Sequence, residues 1–550
     1  MIFAYPFNGQ YTGKLGVNAT NLQAFVNVAK ANYRWQILSK TGKWVNITSK
    51  SKYRDKYGWP TRDCKWIWDN RPFGEWWNKP DYYYIPKMNG VYKGRFYGKA
   101  ILQNGGGIWT IENQKYHSST NITTFDLIIP KAPLHPNMNY GIVILNFLNT
   151  RRYPGGKTGT GIYRFRLICP GYALNTKKIF RTSYLKAYKI AEFSAIRFMP
   201  VMDINNNVAW SKTGPITQNW DSRIKSKNAY AGSIGWPWEY AIRLCNDTDM
   251  NMWINIPVAA DDNYIYNLAK LLKKNLNPKL NIYIEYSNEL WNWGFLQYSW
   301  NKARAVQDVK EGDKYLLNYD HIQNQKYCQE VWAQRRVAGR LKEIISIFGK
   351  VFGRNEINKR IRGVLAGQTA NPDGFFIAGR LSGMLKYLKD TGTNPFDWIY
   401  AIAITDYYGD SAAHGAKGTE SDTVNQILKS MKQSIAQQLT HRKRVIVLAE
   451  KYKLTGGAFA YEAGPDTGGG STVNLKNRIL AIFVPEQKNI YIENFSKYWW
   501  NLGGGLAMQF ALANPYSRWG TYGLTNDVKN LNTSLFRAVY ELVGEKINEY

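Results

Sequence analysis

The chain has 550 residues, of which 44% are hydrophobic, and it carries 72 Lys and Arg against 40 Asp and Glu, a formal net charge of +32. That apolar content fills a real core, so a disordered chain is excluded, and the length suits one large domain with insertions or two to four ordinary ones. The charge predicts an anionic neighbour, such as an acidic glycan, a nucleic acid or an anionic surface, without choosing among them.

The N-terminal "MIFAYPFNGQYTGKLG" lacks a basic segment followed by a long apolar one, so no secretory signal is expected and a soluble protein is. The longest apolar runs, such as "YGIVILNFL", are strand-sized, so no membrane span is expected. Eight short apolar runs then follow along the chain. They are "LGVNA" (15–19), "AIRFMPVM" (195–202), "MWINIPVA" (252–259), "NIYIEY" (281–286), "IRGVLAG" (361–367), "IYAIAIT" (399–405), "GAFAYEAG" (457–464) and "GLAMQFA" (505–511). From the second run onward amphipathic stretches such as "DDNYIYNLAKLLKKNL" and "VNQILKSMKQSIAQQL" separate them, and Gln297 to Gly353 reads as a long helical excursion. Continuous apolar strands alternating with helices imply a parallel sheet, and eight of them a (β/α)8 TIM barrel.

The gap between the first and second runs is far longer than one crossover helix needs. Its later part, "GVYKGRFYGKAIL", "GIWTI", "FDLIIP" and "GIYRFRLI", alternates apolar and polar residues between Gly and Pro, the pattern of antiparallel strands. The expected organisation is residues 1–79 as first barrel strand and helix with N-terminal loops, 80–173 as an inserted β-sandwich-like domain, and 174–550 as the rest of the barrel.

The basic runs "LLKKNLNPK", "RNEINKRIR" and "HRKR" adjoin apolar periodic segments and read as solvated helix faces; with no nucleic-acid signature beside them, nucleic acid is not the expected partner. Cys64, Cys169, Cys245 and Cys328 are too sparse for a disulfide framework and lack zinc spacing. The five histidines form no ligand cluster and no phosphate-binding Gly loop occurs, so neither metal nor cofactor is expected.

At the mouth of such a barrel the polar residues ending each strand converge. That rule selects Arg197, the Asn288-Glu289 pair, Tyr407 and Tyr408, Glu462 and Trp519. Two carboxylates on opposite sides are what glycoside hydrolysis uses: one, with a raised pKa, protonates the leaving oxygen, and the other attacks the anomeric carbon from about 5 to 5.5 Å away. Glu289 and Glu462 fit by position. Glu450, ending "VIVLAE", is the rival to Glu462, but it precedes "KYKLTGG", a helix stop, and reads as a helix-end acid. Taken alone, Glu289 could be a first-turn carboxylate capped by Ser287. Arg197, inside an apolar run, demands a buried anionic partner.

"YSNELWN" on the fourth strand with a second Glu on the seventh resembles the clan A glycoside hydrolases, the 4/7 superfamily. "AIRFMPVMDINNN", "GWPWEYAIRLCN", "MWINIPVAADDNYI", "RGVLAGQTAN", "FAYEAG" and "GGGLAMQFA…RWGTYGL" extend the resemblance to a bacterial group of that superfamily often labelled cellulose-binding-like proteins. The resemblance implies Glu289 as acid/base and Glu462 as nucleophile of a retaining enzyme. It also implies Asn288 on the 2-hydroxyl of the sugar, Arg197 keeping the nucleophile ionised, Tyr407 or Tyr408 donating to it, and Trp519 as the floor of the −1 subsite. Trp291, inside the same motif, joins the substrate-binding candidates. The segment departs from the group's usual Tyr-Glu-Gly-Gly in "YEAGPDTGGG", and Pro200 stands where an Asp commonly follows "RFM". The expected ligand is a carbohydrate, and the charge admits an acidic glycan without selecting it. The alternative is an inactive carbohydrate-binding or structural barrel, for instance on a virus particle, using its basic surface to meet an assembly partner.

Overall fold

The computed structural model describes residues 13–31, 33–47, 51–71, 86–131, 140–369, 380–409 and 418–543. The N-terminal stretch up to Thr12, the aromatic segment from Pro72 to Ile85 and the end of "RGVLAGQTAN" from Ala370 lie outside these residues. Eight parallel strands close into a barrel: β1 (Leu15–Asn18), β2 (Ala195–Arg197), β3 (Asn251–Ile256), β4 (Ile282–Tyr286), β5 (Ile361–Ala366), β6 (Ala401–Gly409), β7 (Gly457–Asp466) and β8 (Ala507–Gln509). Each falls on one of the eight apolar runs, because a strand buried on both faces is apolar throughout.

Alternation along each strand divides that apolar character between two cores. Trp253, Tyr283, Phe459, Tyr461 and Met508 point inward and pack the barrel interior. Ile254, Ile256, Ile282 and Ile284 point outward into the larger core under the helices. Those helices are the expected amphipathic stretches. Asp262–Asn275 starts where the Asp261 side chain accepts from the Tyr264 amide at 2.7 Å, and Val424–Lys451 opens on a reciprocal capping box between Thr423 and Gln426. The long excursion after β4 is two helices, Leu296–Lys310 and Cys328–Phe352. Glu450 lies exposed near the end of Val424–Lys451.

Two antiparallel sheets occupy the gap between β1 and β2. One has four strands and the other five, and the five-stranded sheet takes in Tyr33–Leu38, Trp44–Asn46 and Cys64–Asp69. The sandwich therefore begins near Tyr33, well before Pro80, and the described part of residues 13–79 contains no α-helix after β1. Its core is aromatic: Trp35, Trp66, Phe147 and Phe165 pack with ring centroids 5.2 to 5.8 Å apart. The helix that covers β1 in the barrel, Thr182–Ile190, comes only after the whole insertion.

The basic runs are less uniform than solvated faces. In "HRKR", Lys443 and Arg444 are exposed, but Arg442 is fully buried and donates to Asp406 on β6 at 2.7 Å. In "RNEINKRIR", Arg360 donates to the carbonyls of Leu280, Leu276 and Asn277 rather than facing solvent on a helix.

Candidate active site

Arg197 ends β2 with its side chain inside the barrel, and it is fully buried. Nε and Nη2 donate to Glu285 Oε2 and Oε1 at 3.0 and 3.1 Å, and Nη1 donates to Glu462 Oε1 at 2.8 Å. Nη2 also reaches Asn288 Oδ1 at 2.8 Å and Nη1 reaches Asn18 Oδ1 at 3.1 Å. The anionic partner that a buried guanidinium requires is thus two carboxylates. Burial works against the charge, but Glu285 and Glu462 outweigh it and hold the pKa above its ordinary value.

Glu462 reaches the mouth through an irregularity of β7. The β6 and β7 register pairs Ile404 with Ala460 and then Thr405 with Glu462, a bulge that leaves Tyr461 over. Tyr461 packs inward beneath Arg197, whose guanidinium lies 4.9 Å from its ring centroid, and the next residue, Glu462, is turned inward as well. A regular strand would have sent one of them outward. Glu462 Oε2 accepts from the Tyr407 hydroxyl at 2.8 Å. Burial holds the Glu462 carboxyl above the usual glutamate value, and the Arg197 guanidinium and the Tyr407 hydroxyl offset that rise only in part.

Glu289 sits in the loop after β4, and both Ser287 (φ 61°) and Glu289 (φ 46°) adopt the left-handed backbone that non-glycine residues avoid. The following helix starts only at Leu296, so Glu289 is not a first-turn acid with Ser287 as its cap. Its Oε2 accepts from Asn292 Nδ2 at 2.8 Å and its Oε1 from the Tyr461 hydroxyl at 3.3 Å. Burial, then repulsion from Glu462, pushes its carboxyl up to about 7. Glu462 accepts from a cation, whereas Glu289 accepts from neutral groups only.

Asn288 is buried, its Nδ2 donating to Asn205 Oδ1 at 3.0 Å. Half-buried Trp291 donates from Nε1 to the Tyr461 hydroxyl at 3.2 Å. The two tyrosines of β6 diverge, as strand alternation requires: Tyr407 meets Glu462, whereas Tyr408 is fully buried on the outer face and accepts from Gln487 Nε2 at 2.9 Å. Trp519 is 55% exposed, with Arg518 5.2 Å from its ring centroid, and packs against Gly468 and Gly470 in the loop after β7. The ring nearest the end of β8 is Phe510, edge-on to Tyr407 at 6.1 Å and to Tyr522 at 5.4 Å. Pro200 lines a cavity of about 290 Å3 with Phe510 and Tyr522. In the "YEAG" segment Gly464 (φ 118°) lies so close to Gln509 that a Cβ would sit 2.4 Å from its Oε1.

Four residues of this cluster escape the strand-end rule: Glu285, Asn18, Tyr461 and Asn292. Glu285 had a usable signal, a carboxylate at an inward position of "IYIEY" on a strand near a buried arginine. Among the described residues, no group of three or more His, Cys, Asp or Glu could hold a metal ion, and no helix is long and apolar enough to cross a membrane.

No family model and no curated protein matches the sequence. Solved structures do match at low identity. A family 51 arabinofuranosidase from Xanthomonas axonopodis pv. citri aligns over 63% of this chain at 11% identity with a TM-score of 0.33, and the chain spans only 63% of that enzyme's length. A family 51 α-L-arabinofuranosidase from Bifidobacterium longum aligns over 68% of each chain at 13% identity and a TM-score of 0.38. The β-glucosidase from Thermotoga maritima in complex with cyclophellitol aligns over 66% of this chain and 86% of its own at 12% identity and a TM-score of 0.33. All three neighbours are glycoside hydrolases.

Proposed function

We propose that the protein is a retaining glycoside hydrolase that cleaves a poly- or oligosaccharide by double displacement. The observation that carries this reading is the unequal surroundings of two neighbouring carboxyls: Glu462 is bound by Arg197 and Tyr407, while burial and the Glu462 charge push Glu289 up to about 7. Ionised Glu462 attacks the anomeric carbon as Glu289 gives its proton to the departing oxygen, leaving a glycosyl ester on Glu462. Glu289, now ionised, takes a proton from water, and the resulting attack on the anomeric carbon releases Glu462. Asn288, with its Oδ1 held by Arg197, has an Nδ2 hydrogen left for a sugar hydroxyl after serving Asn205. Trp291 and Asn292 hold Tyr461 and Glu289 in place. The scheme draws on no cofactor.

The test is trapping. A panel of activated 2-deoxy-2-fluoro glycosides is incubated with the protein and the labelled peptide is sequenced by mass spectrometry. The label is expected on Glu462, and Glu289→Ala should regain turnover of activated glycosides when azide is supplied. A label elsewhere removes Glu462 from the nucleophile's role, and tight glycan binding without turnover across the panel leaves a carbohydrate-binding or structural barrel.

A further inference from the structure

A cluster of positive charge lies at the junction of sandwich and barrel. A cavity of about 600 Å3 opens there between the strands Gly90–Tyr97 and Tyr163–Ile168 on one side and the segment holding Lys30 on the other. Arg95 and Arg166 occupy directly opposed positions on these antiparallel strands, where like charges repel. Arg164, Lys177, Lys178 and Lys227 line the remainder, and no Asp or Glu does. Among the described residues none of these cations has a carboxylate partner within ion-pair distance.

The cluster is held in place by neutral groups. Lys30 Nζ donates to the carbonyls of Ser226 and Asn228 at 3.3 and 2.8 Å, and Arg166 Nη2 to that of Thr176 at 2.8 Å. Arg95 Nε is buried without a hydrogen bond. Burial, then the neighbouring Arg166, draws Lys30 down to about 8; burial, then Arg95, lowers Arg166 as well. Three cations pressed together without a counter-charge are a poor way to stabilise a fold, and an anion entering the cavity relieves the repulsion.

A second cavity, of about 740 Å3, shares Trp59, Arg164 and Lys227 with the first and continues it past Tyr57, Tyr163 and the 59% exposed Tyr153. Its single acid, Asp55, is already bound by Arg152. The two form one groove that alternates cations and phenol rings. We propose that this groove binds an acidic polysaccharide, seating its sulfate or carboxylate groups between Arg95 and Arg166 and running its sugar rings along the tyrosines toward Tyr153. The choice of a glycan over another polyanion rests on the hydrolase reading above; the anion site itself does not.

The experiment measures equilibrium binding of the full-length chain, at fixed ionic strength, to heparin, polygalacturonate, neutral dextran and a single-stranded oligonucleotide. Arg95→Gln/Arg166→Gln removes the opposed pair, and Arg164→Gln/Lys227→Gln removes two exposed cations whose loss leaves the fold intact. Lys274→Gln/Lys279→Gln deletes the same charge from an exposed surface elsewhere. Either groove variant is expected to weaken binding of heparin or polygalacturonate at least about tenfold, the worth of one or two charged hydrogen bonds, with little change in the control and no binding of dextran. Whichever of the two glycans responds identifies the anionic group. Equal losses in control and groove variants, or an oligonucleotide bound more tightly than either glycan with the same losses, overturns the proposal. Binding is read without turnover, so a barrel that hydrolyses nothing leaves the result standing.

Discussion

Arg197 divides one guanidinium between Glu462 at the mouth, 2.8 Å from Nη1, and Glu285 deeper in the barrel, 3.0 and 3.1 Å from Nε and Nη2. Only a planar fork serves both carboxylates at once; a lysine ammonium is a point charge. Arg197→Met leaves two carboxylates buried without their cation and is expected to cost about 3 to 5 kcal/mol in urea denaturation at neutral pH. Glu285→Gln keeps Arg197 paired to Glu462 and should cost distinctly less. Equal costs would mean that the guanidinium does not hold the two strands' charges together.

The pH dependence of turnover follows from the two carboxyls. With Glu289 acting as acid from a pKa of about 7, kcat/KM on an activated aryl glycoside should fall on the alkaline side of that value. Asn292 donates to Glu289 and so favours its ionised form. Asn292→Ala should therefore move the alkaline limb upward, by about half a unit to one unit. A limb that stays in place, or moves down, would sink the assignment of that limb to Glu289.

Tyr407 donates to the other oxygen of Glu462, and burial followed by the Glu462 charge pushes its own pKa well above the usual phenol value, so it remains a neutral donor. Tyr407→Phe removes a hydrogen bond to a charged acceptor, worth about 1.5 to 3 kcal/mol. The expected result is a loss of roughly one to two orders of magnitude in kcat/KM, with the acidic limb displaced upward because ionised Glu462 has lost a donor. Tyr408→Phe, on the outer face of the same strand, should leave both limbs where they are.

The barrel was legible because eight doubly buried strands are eight apolar runs, and the strand-end rule reached Arg197, Asn288, Glu289, Tyr407 and Glu462, which the structure brings together. The rule does not see the β7 bulge, which depends on how β6 and β7 are paired and lets Tyr461 and Glu462 share one face. It also passes over Glu285, which lies inside β4 rather than at its tip, and Asn18, which ends β1 but stands within the run "LGVNA". The early start of the sandwich lies in "YRWQIL" and "CKWIWD", which pair antiparallel and precede the alternating segments from Gly90 onward. Trp519 lies too far past β8 for strand position to fix its direction.

Glu289 also couples the site to folding. Its folded-state pKa, about 7, lies above the ordinary glutamate value, so the fold holds the proton more tightly than the unfolded chain does. The contribution is fully present below the unfolded value of about 4.3, is lost as pH rises toward the folded value, and changes no further above it. The difference corresponds to about 3 to 4 kcal/mol for a group this buried. Glu289→Gln carries no charge at any pH and can still accept from Asn292 through its amide oxygen. Urea denaturation should thus give the variant and the wild type similar stability near pH 4, with the variant gaining steadily until about pH 7 and holding its advantage beyond. Parallel stability curves across that range would place the Glu289 carboxyl in ordinary solvent and remove the physical basis for its role as proton donor.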